Sequence, residues 1–257
     1  MNDAALLELA MLGARRAGAL LLERFAGSPQ GVDSKSSPTD PVSDADRDAE
    51  ALLIELIADA RPDDGILAEE GGSRESKSGL TWVLDPLDGT VNFLYRRLEW
   101  AVSIAVEDES GGVAAVVYQP AADEMFSARR GNGTYLNGRR VEVSGATDLT
   151  KALIGTGFAY DADVRGSQAE IARRTLPAVR DLRRAGSAAL DLAALSCGRL
   201  DGFYESPMGP WDRAAGVLLI EEAGGVVSDL AAPDGSDPGV VAAGPGLHPA
   251  LEALVLG

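Results

Sequence analysis

Apolar residues at spacings of three and four open the chain and predict two amphipathic helices. The first spans Asp3 to Phe25 and ends where a glycine and a proline follow. The second spans Ser43 to Ala60, and its opening Ser43-x-x-Asp46 is typical of a capping box. A polar loop from Gly31 to Pro41 joins them and contains Lys35.

Short apolar runs separated by turn residues follow, and they predict a sheet in the first half of the chain. A brief strand is expected at Ile66 to Ala68. From Ala101 to Val143 the runs form consecutive hairpins, the last of which turns at Asn137 and Gly138. The predicted sheet is therefore antiparallel, with the two opening helices packed on one of its faces.

The pattern changes near residue 145, where strands begin to alternate with helices. We therefore predict two subdomains, residues 1–145 and residues 146–257, the second containing a mixed sheet. The later strands are expected near Leu153, Leu182, Phe203 to Glu205, Val227 and Val240, and the later helices near Gln168, at Ser187 to Cys197, at Trp211 to Ala223 and at the C-terminus.

One apolar run leads into a group of acidic and small residues, in the stretch Trp82 to Phe93, WVLDPLDGTVNF. We expect a buried strand that stops at Asp85, because the proline after it cannot donate a hydrogen bond to a neighbouring strand. Asp88 follows, and Gly89 with Thr90 offers N–H groups and a hydroxyl that can hold an anion. Carboxylates beside a phosphate site require divalent cations between them, and oxygen ligands favour Mg²⁺ or Mn²⁺. Alone, each Asp-Pro or Asp-Gly pair is typical of a turn.

Charge and composition narrow the possible chemistry. The 257 residues include 23 basic and 40 acidic side chains, and the net charge of -17 disfavours nucleic acid and anionic membranes as partners. The chain has one cysteine, Cys197, which excludes an internal disulfide, and one histidine, His248, so a Ser-His triad is disfavoured. We expect His248 on the surface at a helix start and Cys197 in the core. No signal peptide or membrane span is evident, so we expect a cytoplasmic protein.

The stretch WVLDPLDGTVNF resembles the first signature of the inositol monophosphatase family, within the larger group of Mg²⁺-dependent, lithium-sensitive phosphatases. Pro210 to Gly225, PWDRAAGVLLIEEAGG, is similar to a second signature of that family, and Glu69 with Glu70 matches its upstream acidic pair. The three matches occur in the family's order, and the similarity extends over nearly the whole chain.

The resemblance implies a layered α+β sandwich of the sugar-phosphatase type, α-β-α-β-α. It also implies hydrolysis of a phosphate monoester by in-line attack of a water that two or three Mg²⁺ ions activate, with Mn²⁺ as a possible substitute. Glu70 would lie next to the metal ligand Glu69 and help to hold it in place without binding the metal itself. Asp46 and Thr90 would orient the attacking water. The implied metal ligands are Glu69, Asp85, the Leu87 carbonyl, Asp88 and Asp212.

Further residues are implied to contact the substrate. The chain departs from the family's pattern at two positions, because Ser187 replaces the commoner threonine and Leu98 stands where the family usually has proline. The implied substrate contacts are the Gly89 and Thr90 N–H groups for the phosphate, and Gly186, Ser187, Ala188, Glu205 and Lys35 around the alcohol and the active site.

Inositol-1-phosphate is the leading substrate by this resemblance. Histidinol phosphate and fructose-1,6-bisphosphate are rivals on the same fold. A metal-binding interaction protein without catalytic activity is an alternative of another class, because a fold alone implies no activity. The resemblance also implies a homodimer.

Overall fold

The computed structural model describes residues 3–35, 40–232 and 235–257. Both helices predicted at the start of the chain are present, and Ser43 caps the second. Part of the polar loop between them, residues 36–39, lies outside the described residues. The helices are α1 (Asp3–Ala26), α2 (Asp44–Ala60), α3 (Thr90–Leu94), α4 (Ala162–Thr175), α5 (Ala188–Ser196), α6 (Pro210–Glu222) and α7 (His248–Leu256).

The strands form a short antiparallel pair, an eight-stranded sheet and a five-stranded sheet. The pair is β1 (Asp33–Ser34) and β2 (Pro41–Val42). The eight-stranded sheet contains β3 (Gly65–Ala68), β4 (Ser73–Arg74), β5 (Thr81–Asp88), β6 (Ala101–Asp108), β7 (Gly111–Gln119), β8 (Glu124–Arg129), β9 (Thr134–Leu136) and β10 (Arg139–Val141). The five-stranded sheet contains β11 (Leu153–Thr156), β12 (Asp181–Arg183), β13 (Gly202–Glu205), β14 (Val226–Leu230) and β15 (Gly239–Ala243).

The eight-stranded sheet has the order β10-β9-β8-β7-β6-β5-β3-β4. Neighbours from β5 to β10 pair antiparallel, as the hairpin pattern predicts. The prediction of a purely antiparallel sheet is wrong at one pair, because β3 and β5 are parallel. The two-residue strand β4 pairs with the outer side of β3, so the chain crosses back before it enters β5 beside β3.

Alternation along the central strands explains how this sheet is buried on both faces. Trp82 and Leu84 of β5 pack in the core beneath α1 and α2, whereas Val83 packs in a second core with α5 and α6. Successive side chains of a strand point to opposite faces, so a run that is apolar at every position needs cover on both sides. The predicted packing of the two opening helices on one face is confirmed.

The five-stranded sheet lies on the other side of α5 and α6, in the order β12-β11-β13-β15-β14. Leu192 of α5 and Ile220 of α6 share a core with Phe203 of β13. On the opposite face Tyr204 packs in a core with Leu251 of α7. Its pairs are parallel around β11 and antiparallel around β15, so the predicted mixed sheet is confirmed.

The layers therefore run from α1 and α2 through the first sheet, α5 and α6, and the second sheet to α4 and α7. This is the α-β-α-β-α sandwich that the resemblance implies. The division into subdomains at residue 145 stays a prediction. Because α5 and α6 pack against both sheets, the two halves of the chain share one central layer.

Two predictions about single residues are wrong. Strand β5 continues past Asp85 to Asp88, and the proline is accommodated by an irregularity in the pairing with β6. His248 does start a helix, but it is buried at 6% exposure. Its Nε2 lies 3.1 Å from the Ser228 hydroxyl and 3.3 Å from the Val241 carbonyl. These contacts give the His248 imidazole hydrogen-bond partners in the interior, whereas the sequence periodicity alone predicted a surface position.

Candidate active site

A bulge at the end of β5 brings two aspartates to the same edge of the sheet. Between the pairs Asp85 with Ser103 and Asp88 with Ala101, β5 advances three residues while β6 advances two. The extra residue bends the strand and turns the following side chains away from the alternation. The Leu87 N–H donates a hydrogen bond to Asp85 Oδ1 at 3.0 Å, which holds the bulge in place.

Asp212 comes to the same place from the first turn of α6. The Gly209 N–H donates to Asp212 Oδ2 at 2.8 Å, so this carboxylate caps its own helix, as its position favours. Carboxylate oxygens from Asp85, Asp88 and Asp212 all lie within 4.8 Å of one another. A cap alone would not require three acidic side chains to converge.

The electrostatics of these three carboxylates indicate that a positive charge is needed among them. Burial raises the pKa of Asp85 well above its ordinary value, and Glu69 and Asp88 raise it further. Burial likewise raises the pKa of Asp212, with Asp88 as the main neighbour. Burial raises the pKa of Asp88 to about 6, although donors at the start of α5 partly oppose it. A divalent cation would stabilise the charged forms, so the residues fit a metal.

Lys35 lies against the acidic pair after β3. Its Nζ is 2.7 Å from Glu69 Oε1 and 2.5 Å from Glu70 Oε1. Burial lowers the pKa of Lys35, but the two carboxylates outweigh burial and raise it above the ordinary value. Burial raises the pKa of Glu70 to about 7 despite the ammonium group. Lys35 therefore supplies positive charge beside the metal-ligand candidate Glu69.

Asp46 and Thr90 are also brought together, although they are far apart in the sequence. The Ser43 N–H and hydroxyl donate to Asp46 Oδ2 at 2.9 and 2.6 Å. Thr90 Oγ1 lies 2.8 Å from Asp46 Oδ1 and 3.1 Å from the Leu87 carbonyl oxygen. The Asp46 carboxylate therefore uses one oxygen in the cap of α2 and the other in the contact with Thr90. Their joint role in orienting water stays a prediction.

The N-terminus of α5 holds Asp88. The Ser187 hydroxyl and the Ala189 N–H both donate to Asp88 Oδ2, and Ser187 Oγ accepts from the Leu190 N–H. The hydroxyl that the resemblance assigns to substrate therefore donates to a metal-ligand candidate in this structure. Its contact with substrate stays a prediction.

Glu205 occupies a wall of the cavity some way from the acidic cluster. It ends β13, and burial raises its pKa to about 8, with Asp191 contributing. A Cβ added to Gly157 would meet Glu205 Oε2 at 2.0 Å, so the carboxylate lies directly on the backbone of that glycine. Gly157 thus provides the space in which this side chain sits.

Most of these residues line one cavity of about 410 Å³. Of the predicted site residues, Asp46 and Glu70 lie behind its wall and are not part of the lining. The predicted residues that line it are Lys35, Glu69, Asp85, Leu87, Asp88, Gly89, Thr90, Gly186, Ser187, Ala188, Glu205 and Asp212.

Sequence reasoning missed several lining residues, among them Thr156, Tyr160, Arg184 and Asp191. Asp191 lies one helical turn after Ser187, so the spacing of four was a usable signal. Thr156 ends β11, which is parallel to β13, and the carboxyl ends of such strands meet at one edge. Tyr160 and Arg184 follow in connecting segments, and no local pattern indicated them.

Comparisons with known proteins agree with this geometry. The model of the inositol monophosphatase family matches residues 2–256. The inositol-1-monophosphatase SuhB of Mycobacterium tuberculosis is 43% identical over 257 residues, covering 96% of this chain and 88% of the relative. The protein called Nus factor SuhB in Escherichia coli is 43% identical over 228 residues, covering 88% of this chain and 85% of the relative.

Solved structures show the same fold. The extragenic suppressor protein suhB from Bartonella henselae superposes with a TM-score of 0.91 at 36% identity, covering 98% of both chains. Mycobacterium tuberculosis SuhB gives a TM-score of 0.86 at 40% identity, covering 100% of this chain and 98% of that one. The chain therefore belongs to the inositol monophosphatase family, a family of metal-dependent phosphatases.

Proposed function

We propose that this phosphatase hydrolyses a small phosphate monoester with Mg²⁺ bound at the acidic cluster, and that inositol-1-phosphate is its leading substrate. One observation carries the proposal. Oxygens of one buried and two half-buried carboxylates, those of Asp85, Asp88 and Asp212, converge within 4.8 Å on a cavity wide enough for a sugar phosphate. Hard oxygen donors of this kind suit Mg²⁺, with Mn²⁺ as a substitute.

The metal ligands divide into two overlapping sets. Glu69, Asp85 and the Leu87 carbonyl would hold one ion, and Asp85, Asp88 and Asp212 would hold a second. Magnesium at such a site lowers the pKa of bound water and neutralises charge on the phosphoryl group. Asn substitutions would remove the negative charge with little change in shape.

Other residues of the chain would position the reactants. Thr90, which lines the cavity, would orient the attacking water in line with the scissile bond, and Asp46 would act through its hydrogen bond to Thr90 from behind the cavity wall. The N–H groups of Gly89 and Thr90 would hold phosphate oxygens. Lys35 would balance the charge of Glu69 and Glu70. No histidine is needed as a general base, since His248 is buried in contacts with Ser228 and Val241.

A bisphosphate such as fructose-1,6-bisphosphate is the second candidate, and Arg184 favours it. Arg184 is exposed, lines the cavity and has no hydrogen bond or ion pair with the other described residues. A free guanidinium can bind a second phosphate through two parallel hydrogen bonds. The monoester remains the leading substrate, because relatives 43% identical to this chain are named inositol-1-monophosphatase.

The test is phosphate release from a panel of esters, with and without Mg²⁺. The panel contains inositol-1-phosphate, histidinol phosphate, fructose-1,6-bisphosphate and 3′-phosphoadenosine 5′-phosphate. We expect Mg²⁺-dependent release, fastest from inositol-1-phosphate. Release from none of them would instead support a non-enzymatic interaction role, the alternative that the name Nus factor of the Escherichia coli relative suggests.

A further inference from the structure

A buried side-chain amide on α3 connects three separate segments of the chain. Asn92 is 5% exposed, and its Nδ2 donates to the Glu99 carbonyl at 2.7 Å and to the Ala185 carbonyl at 2.9 Å. An amide nitrogen carries two hydrogens, so these two hydrogen bonds use everything that the group can donate. Glu99 lies shortly before β6, and Ala185 lies between β12 and α5. Asn92 therefore joins α3 to a segment 93 residues further along the chain.

The backbone before α5 lies directly against Asn92. Gly186 has a φ of 97°, and a Cβ added to it would lie 2.8 Å from Asn92 Nδ2. Only glycine combines this backbone conformation with so close an approach. The Ala185 N–H donates to the Asp191 carboxylate, so hydrogen bonds hold both polar groups of the Ala185 backbone. Asp191 belongs to α5 itself, and the bond from Asn92 ties this segment to a different part of the fold.

The helix that follows this segment orients one of the acidic side chains. The Ser187 hydroxyl and the Ala189 N–H both donate to Asp88 Oδ2. Asp88 is one of the three carboxylates that converge as metal-ligand candidates. Both donors lie within four residues of Ala185, and a hydrogen bond weakens steeply when its geometry departs from the ideal. A displacement of the Ala185 carbonyl would therefore weaken the contacts that orient Asp88.

We propose that Asn92 is a positioning residue for metal binding. By fixing the Ala185 carbonyl, it holds the start of α5, whose donors orient the Asp88 carboxylate. This role rests on the proposed function, because it requires that Asp88 binds Mg²⁺. Asn92 lies outside the described lining of the cavity, so it would act through α5 without touching the ion or the substrate. Groups that orient metal ligands in this way typically change metal affinity by about ten- to a hundredfold.

Calorimetric titration of Mg²⁺ into the metal-free protein tests this role. Asn92→Leu removes both donors with little change in shape, and we expect it to raise the Mg²⁺ dissociation constant by about tenfold. Ser187→Ala removes one of the donors to Asp88 and should also weaken binding. Because both substitutions act on the same carboxylate, the double variant should lose less affinity than the product of the two single losses. If Asn92→Leu does not fold, Asn92→Ala, which leaves room for a water, takes its place.

Gln168 is the matched control, because it is another buried amide that connects two segments. It is 5% exposed, its Nε2 donates to the Ser206 carbonyl at 2.8 Å, and its Oε1 accepts from the Ala159 N–H at 2.9 Å. None of these three residues is among the metal-ligand candidates. Gln168→Met should therefore lower the Tm, as Asn92→Leu does, because buried hydrogen bonds are lost. Its Mg²⁺ affinity should stay within about twofold of the wild type, and its effect should multiply with that of Ser187→Ala.

Amide hydrogen exchange of the metal-free proteins supplies a second measurement. In Asn92→Leu the amides of residues 186–191 should exchange faster than the loss of global stability explains, because the start of α5 is released locally. In Gln168→Met the same amides should follow global stability alone. Wild-type Mg²⁺ affinity in a folded Asn92 variant, an equal loss of affinity in Gln168→Met, or unchanged exchange at the start of α5 would overturn the role of Asn92. If the wild-type protein binds no Mg²⁺, the proposed function fails instead, so the two failures are distinguishable.

Discussion

At the scale of single residues, hydrogen bonds from nearby backbone N–H groups hold the acidic side chains of the cavity in place. The same hydrogen bonds stabilise the bulge and the first turns of two helices. Asp85 accepts from the Leu87 N–H of the bulge, Asp212 accepts from the Gly209 N–H, and Asp88 accepts from the start of α5. Each hydrogen bond uses part of a carboxylate and leaves other lone pairs for a cation. The chain therefore holds the proposed metal ligands in place without a metal, which is the preorganisation that the proposed catalysis requires.

Replacing Asp212 by Asn should reduce turnover of inositol-1-phosphate by about a hundredfold or more, because the proposed mechanism loses a charged metal ligand. Asp88→Asn should have an effect of similar size. Steady-state kinetics at saturating Mg²⁺ measures both. Near-normal turnover in both variants would contradict the proposal that two metal ions bind at this site.

The metal-free protein should lose stability as the pH rises. Burial raises the pKa of Asp191 to about 7 and that of Glu205 to about 8, so the folded protein binds these protons more tightly than the unfolded chain. Stability is then greatest below the ordinary pKa values and is lost between about pH 4 and about pH 8.

Urea unfolding at several pH values, with a chelator present, measures this loss. Asp191→Asn should flatten the pH dependence, whereas the exposed Asp59→Asn, which changes the net charge equally, should not. Identical profiles for the two variants would mean that general repulsion, and not the buried pair, causes the dependence.

At the scale of helices and strands, periodicity predicted most elements but not how they meet. The two opening helices and the hairpin at Asn137 and Gly138 are local features, and they were found near their predicted bounds. The continuation of β5 through Pro86 was missed because it depends on pairing with β6, which lies further along the chain. The burial of His248 was missed for the same reason, since its partners are on β14 and β15.

The close packing of α5 against α6 depends on Gly216. A Cβ at this position would lie 2.4 Å from Leu192 Cδ1 and 2.5 Å from its Cβ. Gly216→Ala should therefore lower the free energy of unfolding by about 1–3 kcal/mol, because the central layer has no room to yield. Denaturant unfolding measures the change.

Gly166 of α4 is the matched control, because nothing lies within 4 Å of its added Cβ. There the same substitution should stabilise the protein by about 0.5–1 kcal/mol through helix propensity. A Gly216→Ala variant as stable as Gly166→Ala would contradict the packing described for the central layer.

At the scale of the whole molecule, the site combines chain segments that are far apart in sequence. Carboxylates reach the cavity from β5, from α6 and from the turn after β3, and the sandwich is what brings them together. The family signatures indicated these acidic residues from the sequence. Thr156 and Asp191 carry no such signature, and only the folded structure shows that both line the same cavity.

The net charge of -17 affects how the protein can attract a phosphorylated substrate. A phosphorylated substrate approaches a molecule that repels it at long range, so positive charge in the cavity has to attract it, and in the proposed mechanism bound ions supply most of that charge. None of the helices in the described part of the chain combines the length and apolarity of a membrane-crossing segment. Localisation in the cytoplasm and a homodimer stay predictions.

The central claim is that the carboxylates of the cavity bind divalent cations, and calorimetric titration of Mg²⁺ into the metal-free protein tests it most directly. Asp85→Asn is the informative variant, because asparagine can still accept the Leu87 N–H bond and so preserves the bulge. Asp59→Asn is the control for net charge. We predict saturable binding to the wild type and to Asp59→Asn and a large loss of affinity in Asp85→Asn. Equal binding by all three proteins would contradict the claim.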